Sequence, residues 1–192
     1  MRVILMAGVS LALAAGAASA QAPQGGHEHR GFWIGFGFGG GINLSEGLDG
    51  QRLGGGGGYV RLGGTPSQKV LLGFEAIAWV RDHEGVTLDR SNGIFVTQFY
   101  PSAQGGAFLK GGVGLATISR ATVSGNSTTT ASRDGLGLTG GAGWDVRLGR
   151  NLYLTPNVDF LFQWFESDQD PVLGTIPGTN TILLFTLGLT WH

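Results

Sequence analysis

The twelve residues from Thr181 to His192 alternate with period two. Leu183, Phe185, Leu187, Leu189 and Trp191 share one parity, and Leu184, Thr186, Gly188 and Thr190 share the other. A pleated strand sends successive side chains to opposite faces, so this segment has one continuous apolar face and one small, mildly polar face. The pattern recurs upstream. Phe32, Ile34, Phe36 and Phe38 oppose Trp33, Gly35, Gly37 and Gly39, and Val70, Leu72, Phe74, Ala76, Ala78 and Val80 oppose Leu71, Gly73, Glu75, Ile77, Trp79 and Arg81. A chain built this way folds as antiparallel sheet with chemically distinct faces.

Composition narrows the class. Glycine makes up 37 of 192 residues. Each glycine inside a helix costs about 1 kcal/mol, so a helical bundle is excluded. A net charge of −1 without a basic run argues against nucleic acid as a partner. The absence of cysteine excludes disulfides, thiolate catalysis, Cys-type zinc sites and a lipoprotein anchor.

The amino terminus reads as a signal peptide over residues 1–20. Arg2 is the positive region, the apolar stretch from Val3 to about Ala15 is too short to span a bilayer, and Ala18-Ser19-Ala20 is a small-x-small cleavage site. A polar leader, residues 21–30, follows, placed in the periplasm. Residues 31–192 then form one domain. No long apolar run remains in it, so the exported chain is either soluble or a β-barrel in the outer membrane.

The pattern predicts eight strands, most of them reaching the roughly 9–11 residues that a tilted membrane strand needs. They lie over about 31–43, 53–64, 69–81, 92–100, 106–120, 134–148, 152–165 and 181–192. The fourth alternates poorly and its faces stay unassigned. Connections alternate short and long. The short ones fall at Thr65-Pro66-Ser67-Gln68, Pro101–Gly105 and Gly149-Arg150-Asn151. The long ones fall near Gly47, over Asp82–Arg90, near Asn126 and near Pro171. Short periplasmic turns, long external loops and an even strand count describe an all-β, eight-stranded, antiparallel up-and-down transmembrane β-barrel.

A soluble, lipocalin-like barrel has the same strand count and the opposite orientation, and Gly31-Phe32-Trp33 supplies that family's Gly-x-Trp. Side-chain size decides between them. The apolar parity carries Phe36, Phe74, Phe160, Phe162, Phe185, Trp144, Trp164 and Trp191, which would overfill the interior of eight strands. The other parity is mostly Gly, Thr, Asn, Asp, Arg and Lys, which fits. The bulky face is therefore expected to meet lipid. Phe32, Tyr100 and Trp191 are expected at the periplasmic membrane interface and Trp164 toward the outer one.

On these patterns the chain resembles the small outer-membrane β-barrel superfamily: the transmembrane domain of outer membrane protein A, OmpX and OmpW-like proteins. The resemblance covers Gly31 to His192. It rests on the aromatic–glycine first strand (Gly31-Phe32-Trp33-Ile34-Gly35-Phe36-Gly37), on Gly73-Phe74-Glu75-Ala76 and on the closing Leu183-to-Trp191 strand. It implies contact with outer-membrane lipid and lipopolysaccharide, and insertion by the barrel-assembly machinery. That machinery reads a terminal aromatic, whereas here Trp191 is penultimate.

The inward parity also carries charge. Arg61 and Glu75 lie on adjacent strands, as do Lys110 and Asp145, with Arg147 and Asp159 nearby. Buried charges need partners, so these six form a candidate lumen network. It is read first as a polar plug that holds register, and second as a gated or proton-conducting path. His27-Glu28-His29 and Asp82-His83-Glu84 are read as solvated segments rather than metal sites. No histidine lies on a strand beside a serine and an acid, and Ser119 and Ser124 have no evident base. A lipid-modifying hydrolase is therefore disfavoured, with no catalytic set and no cofactor. The leading expectation is a non-enzymatic outer-membrane protein that contributes to envelope structure or surface contact. The alternative is a narrow channel or binder for small apolar solutes, as the OmpW-like resemblance implies.

Overall fold

The fold is seen in a computed structural model that describes residues 29–45, 53–124, 127–170, 174–176 and 178–192. The signal peptide and most of the leader lie outside the described residues. The wall strands are β1 (Gly31–Asn43), β2 (Leu53–Ser67), β3 (Val70–His83), β4 (Val86–Phe99), β5 (Ala107–Ser124), β6 (Ser127–Trp144), β7 (Val146–Arg147), β8 (Leu152–Trp164) and β11 (Thr179–Trp191). Two short strands, β9 (Asp168–Asp170) and β10 (Gly174–Ile176), pair as a hairpin between β8 and β11.

Every wall pairing is antiparallel between successive strands, and β11 pairs with both β8 and β1. The sheet is thereby closed. β7 continues the line of β6 along β8, so the two count as one wall strand and the barrel has eight. Closure gives each wall strand a partner on both sides, which satisfies backbone polar groups without an exposed edge.

Orientation follows side-chain size as the alternation predicts. Phe74 is 65% exposed, Val113 63% and Trp191 55%, and Phe36, Phe160, Phe162, Trp144, Trp164 and Phe185 also face outward. A contiguous apolar band of this extent is foreign to a water-facing surface. The bore is less uniformly small and polar than the sequence suggests. Trp33, Tyr59, Trp79, Tyr100, Phe108 and Tyr153 are buried inside it. Inward glycines make room for them. A Cβ on Gly37 would come within 2.6 Å of the Tyr59 ring, and one on Gly55 within 2.6 Å of the Trp79 ring.

Several boundaries differ from the sequence reading. β4 starts at Val86, so the expected charged loop over Asp82–Arg90 is a tight turn. Glu84 (φ 48°) and Gly85 (φ 78°) form it, and successive positive φ values suit a two-residue hairpin. Residues of the expected Ser/Thr-rich loop extend β5 to Ser124 and begin β6 at Ser127. Thr and Val favour extended backbone, and a ladder standing in water needs no apolar alternation. Thr65 and Ser67 belong to β2, with an irregular register between Gly64 and Ser67, and the turn falls at Gln68-Lys69. β4 turns Arg90, Asn92, Ile94, Val96 and Gln98 inward. Its alternation is obscured because Ile94 and Val96 join Trp33, Leu71, Tyr100 and Phe108 in an apolar cluster inside the barrel.

Candidate functional site

The polar side chains of the bore fall into three tiers along its axis. Glycine-lined walls allow long charged side chains to cross it. In the central tier Lys110 Nζ lies 2.7 Å from Glu75 Oε1, 2.5 Å from Glu75 Oε2 and 3.0 Å from Asp159 Oδ1. Lys110 is on β5, Glu75 on β3 and Asp159 on β8, so the contact spans strands that are not neighbours. Arg61, on β2, completes the group with Nη1 3.9 Å from Glu75 Oε2. Its guanidinium carbon also lies 4.5 Å from the centre of the Tyr59 ring and 5.4 Å from that of Phe108. The four charged side chains are fully shielded from solvent. Two cations face two carboxylates at hydrogen-bonding or near-contact distance, the arrangement that makes buried charge tolerable.

A second tier lies nearer the end of the barrel where β1 begins and β11 finishes. Asp145 accepts hydrogen bonds from Tyr100 Oη (2.7 Å) and Thr155 Oγ1 (2.6 Å), and His192 Nε2 lies 3.9 Å from it. Thr155 and Thr190 hydroxyls meet at 2.9 Å, and Arg61 Nη2 reaches Thr190 Oγ1 at 3.4 Å. Asp145 occupies the gap between β6 and β7, opposite the region of Pro156. Proline offers no N–H, so the ladder is interrupted where the carboxylate turns inward. Burial, with the adjacent Asp145 charge and hydrogen bond, pushes the Tyr100 phenol well above its usual value. His29 seals this end: its backbone exchanges hydrogen bonds with the Gln68 amide, and its Nδ1 lies 3.5 Å from His192 Nδ1.

The third tier, toward the opposite end, is an amide ladder. Gln163 Nε2 donates to Asn92 Oδ1 (2.7 Å), Asn92 Nδ2 to Thr139 Oγ1 (3.1 Å) and Asn180 Nδ2 to Gln163 Oε1 (2.9 Å). It joins β4, β6, β8 and β11 across the bore.

Of the six charged residues singled out from sequence, the structure brings Arg61, Glu75, Lys110 and Asp159 together. Asp145 is buried one tier away, without a contact to Lys110 among those described above. Arg147 is a correction. It has the inward parity but sits at the rim, where Nε donates to Gly149 O (3.0 Å) and Nη2 to Arg150 O (3.3 Å) of the adjoining turn. Tyr100 is the second correction: it is 0% exposed and hydrogen-bonds Asp145 inside the barrel. It follows the last residue of β4, where the chain leaves the wall and strand parity no longer sets direction. Phe32, Trp164 and Trp191 face outward.

Parity places Thr155 and Gln163 inside, since each alternates with bulky apolar neighbours, but it does not single them out as network members. Sequence reasoning missed His29, His192, Asn92 and Asn180, the last flanked by Thr179 and Thr181 without an apolar alternation. No local signal marks His29, which is held by a contact with Gln68. His83 lies at the β3–β4 turn, exposed, 3.8 Å from Glu84. Ser119 lies opposite Asp89.

No protein-family model and no curated protein sequence matches this chain. Among solved structures, the chain is similar to Ail, the attachment invasion locus protein of Yersinia pestis, with a TM-score of 0.59 at 10% identity over 85% of this chain and 99% of that one. It is also similar to Neisserial surface protein A, with a TM-score of 0.58 at 13% identity over 86% and 99%. At this identity the likeness concerns the fold alone: a closed, eight-stranded, antiparallel up-and-down β-barrel.

Proposed function

We propose that this chain is a non-enzymatic outer-membrane β-barrel with a sealed bore, which contributes to envelope structure or presents its longer loops for surface contact. One observation carries the reading. Lys110, Glu75, Asp159 and Arg61 meet inside the bore, and Tyr59 and Phe108 pack against the Arg61 guanidinium. Parting such a cluster leaves buried charges unpaired, which is costly in a low-dielectric interior. The outward apolar band supports location in a membrane. The signal peptide read from the sequence supports export to the outer one.

In that setting the band meets outer-membrane lipid, with lipopolysaccharide in the outer leaflet. The end carrying His29 and His192 faces the periplasm. The β11 strand is the segment that the barrel-assembly machinery would read. The alternative, a path or site for small apolar solutes, requires the central tier to open.

Purified protein refolded in detergent should migrate faster unheated than boiled and should partition with outer membranes. In planar bilayers it should show no reproducible stepwise conductance, and loaded liposomes should not swell. Solute-dependent flux would overturn the sealed-bore reading and favour transport. Ester release from phospholipid or lipopolysaccharide would overturn the non-enzymatic reading.

A further inference from the structure

The closure of the barrel assembles a second polar site, at the rim. β11 lies between β1 and β8, so the residue preceding β1 comes beside the turn preceding β8. There Arg30, Arg147, Arg150, Asn151 and His192 line a cavity of about 340 Å3. His192 N donates to Asn151 O at 3.1 Å, which ties the end of β11 to the turn. The bonds from Arg147 to Gly149 O and Arg150 O hold its guanidinium in place beside the cavity. Arg30 and Arg150 are exposed.

Charge at this end is one-sided. Arg30, Lys69, Arg147 and Arg150 are its cations. The one acidic side chain among the described residues there, Asp145, is buried and engaged by Tyr100 and Thr155. The opposite end is mixed, with Asp82, Glu84 and Glu166 exposed. Residues next to the cavity-lining ones along the chain present apolar side chains outward: Trp191, Leu148 and Val146 are each about half exposed. On the membrane reading above, the rim arginines lie beside the edge of the apolar band, the depth of a lipid headgroup.

We propose that this rim cavity binds a phosphate group. Guanidinium groups match phosphate oxygens through paired N–H donors, and the exposed Arg30 and Arg150 line the cavity with Asn151, while Arg147 is held by the carbonyls of the turn. The phosphate is that of an anionic phospholipid of the inner leaflet, its acyl chains lying against Trp191 and Leu148, or that of a small soluble phosphate ester. The proposal rests on the membrane reading above, because that reading sets the depth and the leaflet.

The full chain is refolded into phosphatidylcholine nanodiscs containing a minor fraction of phosphatidylglycerol, and retained lipid is measured by native mass spectrometry after transfer to zwitterionic detergent. Wild-type protein should keep phosphatidylglycerol in preference to phosphatidylcholine. R30Q/R150Q, which leaves Arg147 and its turn in place, should lower that preference roughly tenfold or more, the scale of losing one or two charge-assisted contacts. K69Q, at the same rim but outside the cavity, should not. Glycerol 3-phosphate in the detergent arm distinguishes the sources. Competition by it, lost in R30Q/R150Q, assigns the site to a free phosphate ester. Lipid adducts that resist it assign the site to the headgroup. Equal retention of the two lipids by wild-type protein, or equal preference in R30Q/R150Q, would overturn the proposal. Failure of the membrane reading looks different: the wild-type chain would not enter nanodiscs or show heat-modifiable migration at all.

Discussion

Lys110 and Glu75 touch across the bore rather than along the wall, with β4 standing between their strands. Their contact braces the barrel internally, and Asp159 extends it to β8. Removing the lysine leaves Glu75 and Asp159 facing Arg61 alone, at 3.9 Å from Glu75. Lys110→Met should destabilise the folded barrel by about 3–5 kcal/mol. The loss is read from the urea midpoint of heat-modifiable migration after refolding into vesicles. Adding Glu75→Gln should recover part of it, since fewer charges are then stranded. An unchanged midpoint for K110M would refute the bracing role.

The orientation of the wall is open to direct attack at Val113, which is 63% exposed on β5. Replacing it with arginine places a charge on the face assigned to hydrocarbon. In vesicles the variant should fold less favourably by about 2–4 kcal/mol if it lies near the bilayer midplane. On a water-facing surface the same change would be close to neutral. Equal folding free energies for V113R and wild type in lipid would mean that the band is not where the bilayer sits.

Glycines on the two faces should respond oppositely. A Cβ at Gly37 meets the Tyr59 ring at 2.6 Å, whereas one at Gly140 meets nothing within 4 Å. Gly37→Ala should cost about 1–3 kcal/mol by overpacking, and Gly140→Ala should be neutral or slightly stabilising. Chemical denaturation of both variants in one lipid checks the contrast. Comparable losses would show that backbone freedom, not ring packing, explains the inward glycines.

Asp145 accepts hydrogen bonds from Tyr100 Oη and Thr155 Oγ1 inside the barrel. Asp145→Ala leaves the buried Tyr100 hydroxyl without that acceptor, and the variant should lose about 1–3 kcal/mol of folding free energy. The loss is read from the urea midpoint after refolding into vesicles. An unchanged midpoint would remove Asp145 as an anchor of this tier.

Much of this architecture is written along the chain. Period-two alternation marks the strands, and the bulk of Phe74, Phe162, Trp164 and Phe185 settles which face points out, because side-chain volume and barrel radius are local quantities. Thr155, Gln163 and Asp159 follow from the same parity.

What alternation could not supply is whatever depends on partners distant in sequence. Lys110 bonds Glu75 and Asp159 instead of Asp145 because reach across the bore, not strand adjacency, selects the pair. Tyr100 and Arg147 depart from their expected environments because each sits where the wall ends, and a turn rather than the pleat aims the side chain. The hairpin ends of β5 and β6 escaped notice because Ser and Thr look alike in a loop and in a ladder exposed to water. Closure through β11 decided the remainder: it set His29 against His192 and gathered Arg30, Arg147 and Arg150 around one cavity. A linear pattern determines which way a side chain faces, but only the closed cylinder determines what it meets.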